Sequence, residues 1–118
     1  MTDATMTVDH ESADTVRIAL AGEIDMDNAR QVEQRIIGAI SNQLTAVTLD
    51  LSGLEYIDSA GIRVLFTLAN RLTILQIALR LVVPERSPVR KVIDLSGMAA
   101  AVPVRSTGLP QMMGTQLW

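Results

Sequence analysis

The sequence predicts an α/β fold: a single domain with a mixed, mostly parallel sheet of about four to five strands and helices packed against it. Three observations carry this. Segments with period-two hydrophobicity alternate along the chain with segments of helical period. Their connections have the length of strand–helix–strand units, which pair parallel through right-handed crossovers. One short polar stretch near the start suits a hairpin instead, so the sheet is mixed. The 118 residues and 12.8 kDa leave room for one core. We read 1–118 as one domain, its core spanning about 5–105 and a tail running from 107 to 118.

Thr5 to Asp9 is a weak strand, and His10 to Asp14 turns the chain back. From Thr15 to Ala21, Val16, Ile18 and Leu20 share one side, as in a strand with one buried face. Asp25 is a good N-cap, with Asp27 where a negative charge suits the helix dipole. Ala29, Val32, Ile36 and Ile40 then recur at helical spacing, predicting a helix over about 26–41. Val47, Leu49 and Leu51 alternate with Ala46, Thr48 and Asp50 in a strand, and Ser52 to Asp58 reads as a loop. Ile62, Leu65, Phe66 and Ala69 form a second helical stripe opposite Arg63, Thr67, Asn70 and Arg71. Ile77, Leu79, Leu81 and Val83 form the next strand. Ser87-Pro88 is a cap followed by proline at the first helical position. Val89, Val92 and Ile93 face inward from that helix, and Gly97 stops it. Val102-Pro103-Val104 suits an edge strand, where proline is tolerated. The tail holds Met112, Met113, Leu117 and the single Trp. It packs on the domain, binds another chain or is extraneous to the fold.

Composition narrows the function. Hydrophobic residues make up 48% and mean hydropathy is +0.28, too apolar for a disordered chain. No run approaches the ~20 apolar residues of a membrane span; the nearest, 72–83, is broken by Gln76 and Arg80. We therefore expect no direct membrane insertion, no secretory signal and a cytoplasmic protein. There are no cysteines, which removes disulfides and thiolate chemistry. The net charge of −3 argues against a nucleic-acid binder. Residues 1–59 carry three arginines against eleven acids, and the second half is basic. This asymmetry reads either as two solvated faces or as a bias toward a basic partner.

Catalytic constellations are missing. The single histidine, His10, sits in a predicted turn, away from any candidate nucleophile. There is no Gly-x-Ser-x-Gly elbow, no pair of zinc ligands and no glycine-rich phosphate loop. Lys91, the single lysine, lies on the third helix, which discounts a phosphoaspartate receiver. We expect no enzyme, no cofactor and no metal. What remains is Ser59 at the start of the second helix, where the first N–H groups lack intrahelical acceptors and favour negative charge. From spacing alone, Asp58 or Ser59 serves either as a helix cap or in a function. Gly61 reads as close backbone approach or as helix-start tolerance. Val64 and Leu68, on the shoulder of the helix, extend a partner surface or are ordinary exposed apolar residues.

The run Leu49-Asp50-Leu51-Ser52-Gly53-Leu54-Glu55-Tyr56-Ile57-Asp58-Ser59-Ala60-Gly61-Ile62-Arg63-Val64-Leu65 closely resembles the signature of STAS domains, in particular of bacterial anti-sigma factor antagonists. Gly22-Glu23-Ile24-Asp25 resembles the run that opens the family's first helix, and Ser87 to Met98 its third-helix segment. Three ordered segments on a matching β/α pattern are far more specific than Asp-Ser-x-Gly alone.

The resemblance implies a mechanism. Such proteins bind an anti-sigma factor that is also a serine kinase with a histidine-kinase-like ATPase fold, and so free the sigma factor. The kinase phosphorylates the serine of Asp-Ser-x-Gly, ending the interaction, and a metal-dependent serine phosphatase restores it. By position the phosphoacceptor is Ser59, and the partner-binding residues are Asp25, Asp58, Ser59, Ala60, Gly61, Ile62 and Arg63. The helix N-terminus is expected to take up part of the phosphate charge. A homodimer is compatible with the resemblance. An alternative is an unmodified regulatory or scaffold subunit, for example of a transporter or signalling complex. The sequence departs from the family pattern in two places. The apolar stretch Leu72 to Gln76 stands where the family often carries glycines, and the tail shows no clear last helix.

Overall fold

In the computed structural model, residues 3–107 are described. The chain runs through β1 (Ala4–His10), β2 (Thr15–Ile24), α1 (Ala29–Gly38), β3 (Ala46–Ile57), α2 (Ser59–Ile74), β4 (Ala78–Val82), α3 (Arg90–Leu95), α4 (Met98–Ala101) and β5 (Val104–Arg105). The five strands form one sheet in sequence order. β1 pairs antiparallel with β2, and every later pair is parallel. Right-handed crossovers that always step in the same direction put every helix on the same face. The result is a two-layer α/β domain, as the alternating periods predict.

The core lies between those layers. Val16, Ile18 and Leu20 of β2, Val47, Leu49 and Leu51 of β3, and Leu79 and Leu81 of β4 are buried in one cluster with Val32, Ile36, Leu65, Leu68, Ile93 and Met98 from the helices. The other face carries Arg17, Thr48 and Arg80 in register across β2, β3 and β4. There Arg17 Nη2 meets Asp50 Oδ2 at 2.5 Å, and the Asp50 Oδ1 accepts from the Ser52 hydroxyl and N–H. Burial alone would raise the Asp50 carboxyl. Those Ser52 donors and the Arg17 guanidinium outweigh it and hold the group below its ordinary value.

Several boundaries move, each for a physical reason. β3 continues through the residues expected to form a loop. Its register against β2 shifts between Ala19 and Ala21 and again between Gly22 and Glu23. Each shift stores an extra residue in β3, so buried positions step from Leu51 to Leu54 to Ile57 and the period of two disappears. Gly53 is required at the first shift, because a Cβ there would lie 2.8 Å from that of Ala21. α1 begins at Ala29 instead of 26, since residues 25–28 form a separate hydrogen-bonded turn, and it ends at Gly38.

α2 is rotated from the expected stripe. Gly61, Val64, Leu65, Leu68, Ala69 and Leu72 face the core, a continuous run at spacings of three and four over the whole helix. Phe66 is 37% exposed, whereas Leu68 is 0% exposed. Val64 and Leu68 are therefore core residues and offer no partner surface. On α3, Val89 and Ile93 are buried but Val92 is exposed, because a six-residue helix has a single inward line. The Ser87 hydroxyl does accept the Val89 N–H. Gly97 stops the helix with φ 83°, and one further turn, α4, follows.

The glycine-free turn after α2 is closed by a Schellman motif. Ile77 N–H donates to the Leu72 carbonyl and Gln76 N–H to that of Thr73. Gln76 takes the left-handed position, φ 62°, that glycine usually fills. His10 ends β1 opposite Val16 instead of standing in a turn. β5 lies one to two residues beyond the expected edge strand: Pro103 contributes its carbonyl to Leu81 N–H before the pairing begins. Apart from Thr107, the tail lies outside the described residues. Among the described residues no helix is long and apolar enough to cross a membrane.

Two measurements check this packing. Leu68→Ala should lower the unfolding free energy by about 2–5 kcal/mol, and Phe66→Ala by clearly less, in urea titrations followed by circular dichroism. A carboxylate with a depressed folded pKa stabilises the fold above its unfolded value of about 3.9, and that stability is lost as pH falls through the folded value. Asp50→Asn should thus be less stable than the parent at neutral pH. The gap should close below about pH 4, measured by urea titration across a pH series.

Candidate functional site

The expected site forms at the C-terminal ends of the parallel strands. Asp58 N–H donates to the Ile24 carbonyl at 3.2 Å, which ties the end of β3 to the end of β2. The chain then turns into α2. Asp58 is extended, with φ −112° and ψ −169°, the geometry of an N-cap. Its Oδ1 accepts the N–H groups of Ala60 at 2.9 Å and Gly61 at 3.2 Å. Its carbonyl accepts Ile62 N–H at 2.9 Å. Of the two candidates, Asp58 is the cap, and Ser59 is left exposed at the first helical position.

This cap bears on one expectation. The first N–H groups of α2 were to take up part of a phosphate's charge. The N–H groups of Ala60 and Gly61 already bond to the Asp58 carboxylate, so an anion on Ser59 would share these two donors with a negative group beside it.

Gly61 is buried, and the close approach it allows is toward the interior. A Cβ there would lie 2.5 Å from Ile57 Cγ1 and 3.1 Å from Ile24 Cγ2. The glycine thus lets the first turn of α2 settle onto the strand ends. Ala60 and Ile62 are half-buried and pack against the core. Arg63 is exposed.

Asp25 comes to the same rim through the turn between β2 and α1. Asp25 N–H donates to Asn28 Oδ1 at 3.0 Å, Asp27 N–H donates to Asp25 Oδ1 at 2.8 Å, and Asn28 Nδ2 donates to the Glu23 carbonyl at 2.8 Å. Asp25 therefore does bond the N–H two residues on, but inside this turn and ahead of the regular helix. Asn28 is a buried polar residue whose amide both accepts and donates. Sequence reading missed it, although an Asp followed three residues later by Asn is the kind of pattern that marks a side-chain-closed turn.

The rim is acidic. Glu23, Asp25, Asp27, Glu55 and Asp58 lie at these strand ends, against Arg30 and Arg63 in the first turns of the two helices. Among the described residues no group of three or more His, Asp or Glu side chains is placed to hold a metal ion. A cleft of about 510 Å³ lined by Phe66, Thr67, Asn70, Thr73 and Ala101 runs along α2 and includes none of the expected site residues.

Residues 6–108 match the model of the STAS domain family. The chain belongs to that family. BtrV of Bordetella bronchiseptica, which bears the name of an anti-sigma factor antagonist, is 36% identical over 89 residues, 75% of each chain. The crystal structure of an anti-sigma factor antagonist from Mycobacterium paratuberculosis is 25% identical. It superposes with a TM-score of 0.73 over 90% of this STAS chain and 88% of that one. The anti-sigma factor antagonist SpoIIAA in its unphosphorylated form gives a TM-score of 0.67 at 23% identity, covering 95% of this chain and 94% of its own. SpoIIAA from Bacillus in its phosphorylated form gives 0.62 at 22%, covering 95% and 97%. These last two show a shared fold.

Asp58→Ala should destabilise this STAS domain by about 1 kcal/mol through loss of the cap, while Asp58→Asn keeps most of it. Gly61→Ala should cost about 1–3 kcal/mol, since Ile57 has to shift. Denaturant titration of the three variants checks both values.

Proposed function

We propose that this STAS domain is an anti-sigma factor antagonist switched at Ser59. In the unmodified form it binds an anti-sigma factor that is also a serine kinase with a histidine-kinase-like ATPase fold, and the sigma factor is released. The kinase transfers the γ-phosphoryl group of ATP to the Ser59 hydroxyl, and the complex separates. A serine phosphatase removes the phosphate. The domain is the kinase's substrate, and ATP belongs to the partner. Asp25, Asp58, Ala60, Gly61, Ile62 and Arg63 border or shape the contact. The setting is the cytoplasm.

The observation that carries this reading is the placement of Ser59: exposed, first in a long helix, and held there by a cap that does not use its hydroxyl. A kinase can reach such an oxygen without unfolding its substrate. The names of BtrV and the Mycobacterium paratuberculosis protein support the role, and the phosphorylated form of SpoIIAA supports the modification.

The energetics follow from the cap. Phosphorylation adds about −1.5 to −2 charge at pH 7. It does so next to the Asp58 carboxylate and inside an acidic rim. A partner surface fitted to a neutral hydroxyl then meets bulk, a hydrated dianion, and repulsion from the nucleotide phosphates it holds at that point. A loss of ~3 kcal/mol weakens binding roughly a hundredfold.

The test is incubation with ATP and the cognate kinase. The parent should gain one phosphate by intact-mass measurement and Ser59→Ala none. Ser59→Asp should bind the anti-sigma factor at least about tenfold more weakly than the parent. Equal affinities would overturn the switch and leave the role of an unmodified regulatory subunit.

A further inference from the structure

The sheet has one covered face and one bare face. β2 to β5 pair in parallel, and parallel sheets are almost always covered on both sides. Here every helix lies on the same side, and among the described residues no element packs on the other. Strand register gives the layout of that bare face. One row across it runs Asp9, Arg17, Thr48, Arg80. Arg17 is paired with Asp50, so the middle of the row is neutral. Asp9 and Arg80 are exposed and make no ion pair among the described residues. An acid thus stands alone on β1 and a base alone on β4, level with each other, with β2 and β3 between them.

We propose that a second copy of this chain docks on the bare face, sheet against sheet. A two-fold axis parallel to the strands lays β1 of one copy over β4 of the other. Because Asp9 and Arg80 share a row, that rotation brings each aspartate to the other copy's arginine with no slide along the strands. The contact is isologous and closes at two chains. Stacked sheets lie ~10 Å apart, and the short side chains of Thr5 and Thr7 on β1 and Ala19 and Ala21 on β2 permit that approach. Tyr56, 51% exposed on β3, belongs to a residue type enriched where interfaces are fully buried. A patch four strands wide and seven residues long measures roughly 19 by 23 Å, so about 900 Å² is buried over both copies, the size of a weak, reversible contact. Ser59 begins α2 in the helical layer, so the dimer leaves it open, and the proposal does not depend on the Ser59 reading.

Sedimentation velocity of the full chain at low salt, at concentrations up to about 1 mM, provides the test. The parent should pass from monomer to dimer as concentration rises. Arg80→Asp sets two aspartates against each other and Asp9→Arg two arginines, so each variant alone should dimerise at least about tenfold more weakly. Mixed in equal amounts, the two variants restore an opposite-charge contact at both ends, and the mixed dimer should return to within about threefold of the parent Kd. A change in fold stability cannot imitate that recovery. Tyr56→Ala should also weaken the dimer. Leu95→Ala is the control: Leu95 is 78% exposed on α3, in the helical layer, and its loss should leave Kd unchanged. A parent that stays monomeric throughout, or a mixture no more dimeric than either variant alone, would overturn the proposal.

Discussion

A helix that starts at the edge of a sheet has to satisfy its first N–H groups, and in this domain one aspartate does so. Asp58 bonds Ala60 and Gly61 through its carboxylate, Ile62 through its carbonyl and Ile24 through its own N–H. A single residue thereby fixes the start of α2, the end of β3 and the distance to β2. Gly61 completes the joint by removing the one side chain that would hold the helix away from Ile57. Ser59 inherits its position from these contacts and contributes nothing to them. A residue free of structural duty can be altered chemically while its surroundings persist.

The same economy governs the electrostatics. The carboxylate that caps the helix takes two of the donors a neighbouring phosphate would otherwise use. The modified state, on the proposed reading, adds negative charge to a rim that is already acidic. That suits a device whose output is the loss of a complex: the added charge acts outward on the partner instead of being absorbed within the domain.

Much of this was legible in the residue pattern. The alternation in β2 and in the first half of β3, the Asp58–Ser59 helix start and the Gly97 stop all rest on local rules, and the structure follows them. What escaped depends on partners distant in sequence. The extra residues of β3 exist only in relation to β2, so a strand with a broken period reads as a loop. The phase of α2 was ambiguous because Ile62 and Phe66 are as apolar as Val64 and Leu68. Only packing on the sheet selects the latter pair. The turn at Gln76 lacked its usual glycine, and Asn28 looked like any surface amide. In each case tertiary contacts outweighed propensity. At the candidate site Asp25, Asp58 and Ser59 were visible by motif.

The two stored residues in β3 work as a ruler. They let a strand of greater length stay paired with its neighbour, so that Ile57 comes level with Ile24 and Asp58 meets its carbonyl. Straightening one shift with its residue retained would carry the serine forward by about one strand residue, ~3.3 Å, while the turn after β2 stayed where it is. The spacing between the Ser59 hydroxyl and the end of β2 would then be altered with every side chain still present. Related chains that differ in these irregularities, and in nothing else at the rim, would hold the serine at different distances from the end of β2.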